Sequence, residues 1–467
     1  MQRNIIYFYI SFAFLSGCGG DNSITSQSLE EPENNSSVVA STFVGVKEAE
    51  TFISDDGREV QAAKDEILVY LEEDVTQEEY DEIIQYIENS GAIITAFDKD
   101  LKVLQVQIDP VASELALIAE FETLIGVNTS GLNEVVVLTR FNNNAEGYSN
   151  YLSKPQLTNP TKSYGNSTTF TTQATIPSFP GDYWVDHIDV GTAWDIEDRL
   201  SSLSKVTIGI VDTGINFKQK ILEENRLTRY NQNGLLLVED EDGTKNNIER
   251  NEHGLWTTAF AAGFYDESKA ISIDNISRGV SRNSKVVHIE IDETREDYKA
   301  FQTALLKGVK TAIQKGADVV NLSWGNSSKC KHDQSQRLAA RQAFRKTWSN
   351  ALAYVKRKDR LLLFSSGNNC EKQDNQLLPT ISDIDADPWL THAVVVGATD
   401  STKTDTLFSR MGNVVNLVAP GKDIGYGESD LFWWAADDTN SGTSFSAPLA
   451  TGTAAVVKGI NGTLSAP

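Results

Sequence analysis

The chain has 467 residues, 40% hydrophobic and 23% charged, an ordinary globular composition with length for two or three domains and a sizeable core. Its 65 acidic against 41 basic residues give a formal net charge of −24, and such an excess of carboxylates repels a phosphate backbone, which excludes nucleic acid as a partner. The charge serves solubility; it would also favour cationic substrates, but a sum does not place charge at a cleft.

At the N-terminus, Arg3 precedes an apolar run from Ile5 to Leu15, too short to cross a bilayer but suited to a secretory signal. Leu15-Ser16-Gly17-Cys18 resembles the lipobox of bacterial lipoproteins, which implies removal of residues 1–17 and a lipid on Cys18; the alternative is an unmodified Cys beside a plain cleavage site. Gly19 after that Cys resembles the outer-membrane sorting signal of Gram-negative bacteria. The expectation is an exported lipoprotein at the outer membrane or cell surface. No later stretch is long and apolar enough to span a membrane. Residues 18–60 are rich in Ser, Asn, Glu and Asp and read as a disordered tether.

The first compact unit is placed at 61–140. Ile67 to Leu71 predicts a strand; Thr76 and Glu79 stand at capping-box spacing before Tyr80, Ile83, Ile84 and Ile87 at helical intervals, and Gly91 ends the helix. Strands follow at 92–96 and 101–108, with Asp98-Lys99-Asp100 as the turn. A helix at 111–124 and a last strand at 134–138 complete a β-α-β-β-α-β pattern, which resembles a ferredoxin-like α+β fold. Residues 141–180 are polar, rich in Asn, Ser, Thr, Gly and Pro, and read as a linker. From residue 181 to 467, alternating strands and helices predict a parallel sheet covered on both faces.

Within that last region, the apolar run Val206 to Val211 delivers Asp212 at a strand end, followed by Thr213-Gly214. His253, one of five histidines, opens a run of small and apolar residues ending at Gly263. Asp318 to Gly325 is a strand and its edge; Leu361 to Phe364 leads into Ser365-Ser366-Gly367-Asn368; and Ser444 lies in Gly442-Thr443-Ser444-Phe445-Ser446-Ala447-Pro448. A serine hydroxyl is a weak nucleophile at neutral pH and needs a base, which in turn needs an orienting carboxylate. These segments, in the order Asp, His, Ser, resemble the subtilisin-like (subtilase) family of serine endopeptidases.

The resemblance implies an α/β fold with a parallel sheet between helices, and an Asp212, His253, Ser444 triad with Asn368 as oxyanion donor. It further implies that Ser323, Trp324 and Gly325 bind substrate backbone, and that Ser365, Ser366 and Gly367 line the same pocket. Trp324, Leu255 and Trp256 are bulkier than the family's usual residues, and Pro448 is expected in the first turn of the Ser444 helix. The β-α-β-β-α-β unit then corresponds to the propeptide that inhibits many subtilases, with the processing site in the 141–180 linker; the alternative is a binding domain sharing that fold. The expected partners are protein or peptide substrates, the chain's own propeptide, and a membrane through the lipid on Cys18 until processing releases the protease.

Setting Cys18 aside leaves Cys330 and Cys370 of three cysteines, expected to pair outside the cytosol, the alternative being two thiols. The chemistry requires no metal or other cofactor. Many relatives bind structural calcium, but no ligand set is assigned, since the acidic stretch from Glu239 to Asp242 reads as solvated. The chain stops at Pro467, where the family continues with further helices, implying a fragment or a reduced C-terminal layer. Sedolisins share Ser441 to Ser444 but replace the base with Glu and the oxyanion Asn with Asp, so His253 and Asn368 disfavour them. An esterase of the Gly-x-Ser-x-Gly type would need Gly where Ser446 stands, and no His-Glu-x-x-His occurs for a zinc protease. The rival of another class is a catalytically silent surface binding protein that kept the fold.

Overall fold

The computed structural model describes residues 40–138 and 181–466, except 42, 46–47, 54–58, 111–112, 200–204, 216–225, 238–252, 264–278, 292–298, 327–347, 369–391, 407, 410–414 and 426–439. Cys18, Cys330, Cys370 and the 141–180 linker lie outside the described residues.

The N-terminal unit runs β1 (Ala49–Ile53), β2 (Glu59–Leu71), α1 (Gln77–Asn89), β3 (Ile93–Asp98), β4 (Val103–Gln107), α2 (Glu114–Phe121) and β5 (Val127–Leu138). The predicted pattern folds into an antiparallel sheet ordered β5-β2-β4-β3, with β1 on β2. Both halves of the Thr76/Glu79 capping box form, and α1 buries the four residues its periodicity picked out, Tyr80, Ile83, Ile84 and Ile87. Two expectations are corrected. Part of the supposed tether is structured, since β1 pairs along β2 and Phe43 is buried. The last strand begins at Val127 rather than 134. Its polar start disguised it, but each polar group there has a defined partner: Thr129 donates to Glu122, Ser130 to the Ile118 carbonyl, and Asn133 to Glu66.

The second unit contains α3 (Tyr183–His187), α4 (Val190–Arg199), β6 (Thr207–Asp212), β7 (Leu227–Asn231), α5 (His253–Ala262), β8 (Lys285–Glu290), β9 (Lys299–Phe301), α6 (Gln302–Gln314), β10 (Val319–Leu322), β11 (Trp324–Asn326), α7 (348–357), β12 (Leu361–Ser365), β13 (Ala393–Thr399), β14 (Leu417–Pro420) and α8 (Thr443–Ile460). Seven strands form one sheet, ordered β14-β13-β12-β10-β6-β8-β7, parallel throughout. These strands are apolar at successive positions because both faces are covered. Ile208, Ile210, Val319, Leu363 and Val396 face a core shared with α5 and α8; Val211, Val320, Leu362, Phe364 and Val395 face one shared with α6 and α7. α5 and α8 pack so closely that a methyl group on Gly452 would stand 2.4 Å from the Ala261 carbonyl oxygen.

The N-terminal unit sits on α6 and α7. Lys310 contacts Asp98 at 2.7 Å and Asp100 at 3.0 Å, Lys307 donates to the Phe43 carbonyl, and Asn350 donates to the carbonyls of Leu71 and Leu101. Phe301, the residue before α6, has no side chain able to cap it; Asn133 of β5 accepts the Thr303 N–H at 3.1 Å instead. Behind Asn133 lies Glu66, whose carboxyl burial pushes upward against donors from Asn133 and Gln105. β5 then continues between β9 and β11, antiparallel to both, pairing Val135 with Phe301, and Val136, Val137 and Leu138 with Asn326, Gly325 and Trp324.

Candidate active site

Strand β6 places Asp212 at its carboxyl end, where ligands of open α/β sheets bind. The side chain is fully buried. Oδ1 accepts from the Thr213 N–H at 2.7 Å and lies 2.7 Å from His253 Nδ1; Oδ2 accepts from the Thr257 hydroxyl at 3.2 Å. A carboxylate so held fixes the imidazole with its other nitrogen, Nε2, as the base. His253 is the first residue of α5, and the next, Gly254, donates its N–H to the Thr213 hydroxyl at 2.9 Å. Only glycine fits there, since a Cβ would stand 2.0 Å from the Thr213 carbonyl oxygen. Trp256 is turned into the core, its ring 5.8 Å from both Phe260 and Phe445.

Ser444 is the second residue of α8 and is completely buried, with the ring of its neighbour Phe445 5.3 Å from that of His253. Its hydroxyl makes no hydrogen bond among the described residues. The N-terminus of a long helix directs free N–H groups and a partial positive charge at this position. Pro448 lies beyond the expected first turn, and its missing N–H deprives the Ser444 carbonyl of its helical partner. Ser323 replaces that partner, donating to the Ser444 carbonyl at 2.8 Å, and is itself held by the Asn321 amide at 3.0 Å. The Ser323 side chain therefore braces the nucleophile.

Asn368 follows β12. Its Oδ1 accepts from both the backbone N–H and the hydroxyl of Thr443, at 2.9 and 3.0 Å, which fixes the amide orientation and leaves the NH2 as its donor end. The same Thr443 hydroxyl accepts from the Gly367 N–H at 3.1 Å. Ser365 ends β12 and the Ser366 N–H donates to the Val396 carbonyl. Trp324 is buried, its indole donating to the Val211 carbonyl at 3.2 Å, so it is its backbone, with that of Gly325, that presents a strand edge. Thr213, Thr257 and Thr443 were not singled out by their sequence positions; a hydroxyl one position from each triad residue, or four along its helix, was the available signal. Among the described residues, no group of three or more His, Cys, Asp or Glu could hold a metal ion.

The site defines a class: a parallel α/β sheet with a buried Asp–His pair on one strand and helix, and a serine at the start of another helix. The profile of the subtilase family matches residues 204–466, and the chain belongs to that family. It is 25% identical over 304 residues to the subtilisin-like serine protease Pen c 1 of Penicillium citrinum, covering 64% of this chain and 63% of that protein. It is 24% identical over 263 residues to subtilisin DY of Bacillus licheniformis, covering 56% of this chain and 80% of that one. The chain thus spans under two thirds of the length of the fungal relative. Fervidolysin from Fervidobacterium pennivorans, a keratinolytic enzyme related to subtilisin, shares the fold with a TM-score of 0.52 at 18% identity, over 86% of this chain and 56% of that structure.

Proposed function

We propose that this chain is a serine endopeptidase made as a self-inhibited precursor. The observation that carries the reading is the buried Asp212–His253 contact of 2.7 Å, adjoining the helix start that bears Ser444. Ser444 attacks the scissile carbonyl while His253 Nε2 takes its proton; the imidazolium, steadied by Asp212, then protonates the leaving amine. Water, deprotonated by His253, cleaves the resulting ester. The Asn368 amide and the Ser444 N–H stabilise the oxyanion in both halves.

Self-inhibition rests on β5. It occupies the groove between β9 and β11 as an added strand, the way an extended peptide would bind. Within the described residues the ladder reaches Leu138 opposite Trp324, one position short of Ser323, which donates to the Ser444 carbonyl. The bond cut on maturation therefore lies just beyond Leu138, nearer than the middle of the 141–180 linker. With a lipid on Cys18, that cut would free the protease from an anchored N-terminal unit.

A serine-directed fluorophosphonate tests the reading. Self-processed protein should label at Ser444 and full-length precursor should not; absence of labelling after removal of residues up to 138 would overturn it in favour of a silent binding protein. N-terminal sequencing of the processed form should read a start within a few residues of Leu138.

A further inference from the structure

His288 is a second, completely buried histidine, placed by β8 beside β6 in register with Ile210. The proposed chemistry does not use it. Its Nε2 lies 2.7 Å from the Thr213 carbonyl oxygen, which can only accept, so Nε2 carries hydrogen. In the neutral ring Nδ1 is then an acceptor. It stands 3.2 Å from the Thr258 hydroxyl, whose single proton is given to the Gly254 carbonyl at the shorter distance of 2.7 Å, so the ring's defined hydrogen bond is the one from Nε2.

The ring thus holds the segment after Asp212 and lies against the His253 helix at Thr258, one turn beyond Gly254. Thr213 is the joint: its N–H meets Asp212 Oδ1, its hydroxyl takes the Gly254 N–H, and its carbonyl takes the His288 proton. There is little slack, because a Cβ on Gly254 would come within 3.0 Å of the His288 ring. We infer that His288 is a positioning residue, which pins the Thr213 peptide so that Asp212 and His253 keep their contact. The inference rests on the triad reading above.

The charged groups facing the ring are Asp212 and Arg229, the latter paired with Glu290 at 3.1 Å. Burial, followed by Arg229, pushes the imidazole down to about 4, against Asp212 and the Thr213 carbonyl. His288 therefore stays neutral across the neutral range and holds the Thr213 carbonyl through its one N–H.

The test is the first-order rate of self-processing of the full chain, in which substrate affinity plays no part. Gln places its amide donor near the reach of Nε2, whereas Asn and Leu do not. His288→Gln should process within about threefold of the parent chain, and His288→Asn and His288→Leu about 100-fold more slowly, the size expected of an ångström-scale displacement. In parallel, the low-field proton resonance of the His253–Asp212 hydrogen bond is recorded in a Ser444→Ala background, so that the chain stays intact. It should persist with Gln and disappear with Leu.

Asn or Leu variants that process at the parental rate, or retention of that resonance with Leu, would overturn the inference. If the parent chain does not process and does not label even after removal of residues up to 138, the protease reading fails, and the resonance alone still decides the role of His288. Should His288→Leu not fold, the Gln and Asn pair decides, equal rates counting against the clamp.

Discussion

The two halves of the site are built differently. On the Asp212–His253 side, every bond to the carboxylate among the described residues comes from its immediate corner, from Thr213, Thr257 and His253, with backbones in contact at Gly254. On the Ser444 side, the residue is held by its backbone and not by its hydroxyl: Ser323 donates to its carbonyl, Thr443 orients Asn368, and the hydroxyl makes no bond among the described residues. On the proposed reading, the difference teaches that the base is organised before substrate arrives, whereas the last bond of the triad and the oxyanion contacts are left for the loaded state. Catalysis gains most from donors aimed at charge that appears only in the transition state.

The most drastic way to break the comparison is to remove the group on which both halves converge. Ser444→Ala should abolish self-processing, a loss on the order of 10⁶-fold as found for triad nucleophiles, while leaving the His253–Asp212 contact unchanged. Precursor accumulation in a gel time course checks the first part. A second change touches only the oxyanion side: Asn368→Ala should cut kcat by roughly 10²–10³-fold, with KM little altered. A comparable rise in KM would mean that Asn368 holds substrate rather than the developing charge.

An acid titration probes the other half. His288 is held at about 4 in the folded chain against an ordinary value near 6.5, with burial the main cause. Between those values the unfolded chain takes up a proton that the folded chain refuses. Stability should therefore be fully present above about 6.5, fall as the pH drops toward about 4, and level off below, by a few kcal/mol in all. Urea midpoints of the Ser444→Ala protein against pH should follow this slope. His288→Gln should flatten it.

The architecture was largely readable because it rests on local patterns. The capping box at Thr76 and Glu79 and the apolar run before Asp212 each contain their own reason for forming a helix or a strand. What escaped reading depends on contacts between distant segments. Asn133 looks like a loop residue until α6, lacking a cap of its own, is placed beside it. Ser323 resembled a pocket residue, but the proline at 448 creates a vacant carbonyl 121 positions away that its hydroxyl fills. Residues 49–53 read as tether because a short exposed strand has no signature without the partner edge that β2 provides.

The smallest expected effect is also the most discriminating between the halves. Thr443 touches neither the proton relay nor the attacked carbonyl, yet its hydroxyl links the Gly367 N–H to Asn368 Oδ1. Thr443→Val keeps the shape and the backbone N–H bond to Asn368 while deleting that link, which is worth about 1–1.5 kcal/mol, or roughly tenfold in rate. If oxyanion placement is relayed through Thr443, kcat should fall by that factor at unchanged KM, and the same substitution in an Asn368→Ala chain should have almost no further effect. A double-mutant cycle gives the answer directly. Additive losses would show that Thr443 supports the start of α8 as a whole, and that the nucleophile side is as self-contained as the Asp212 corner.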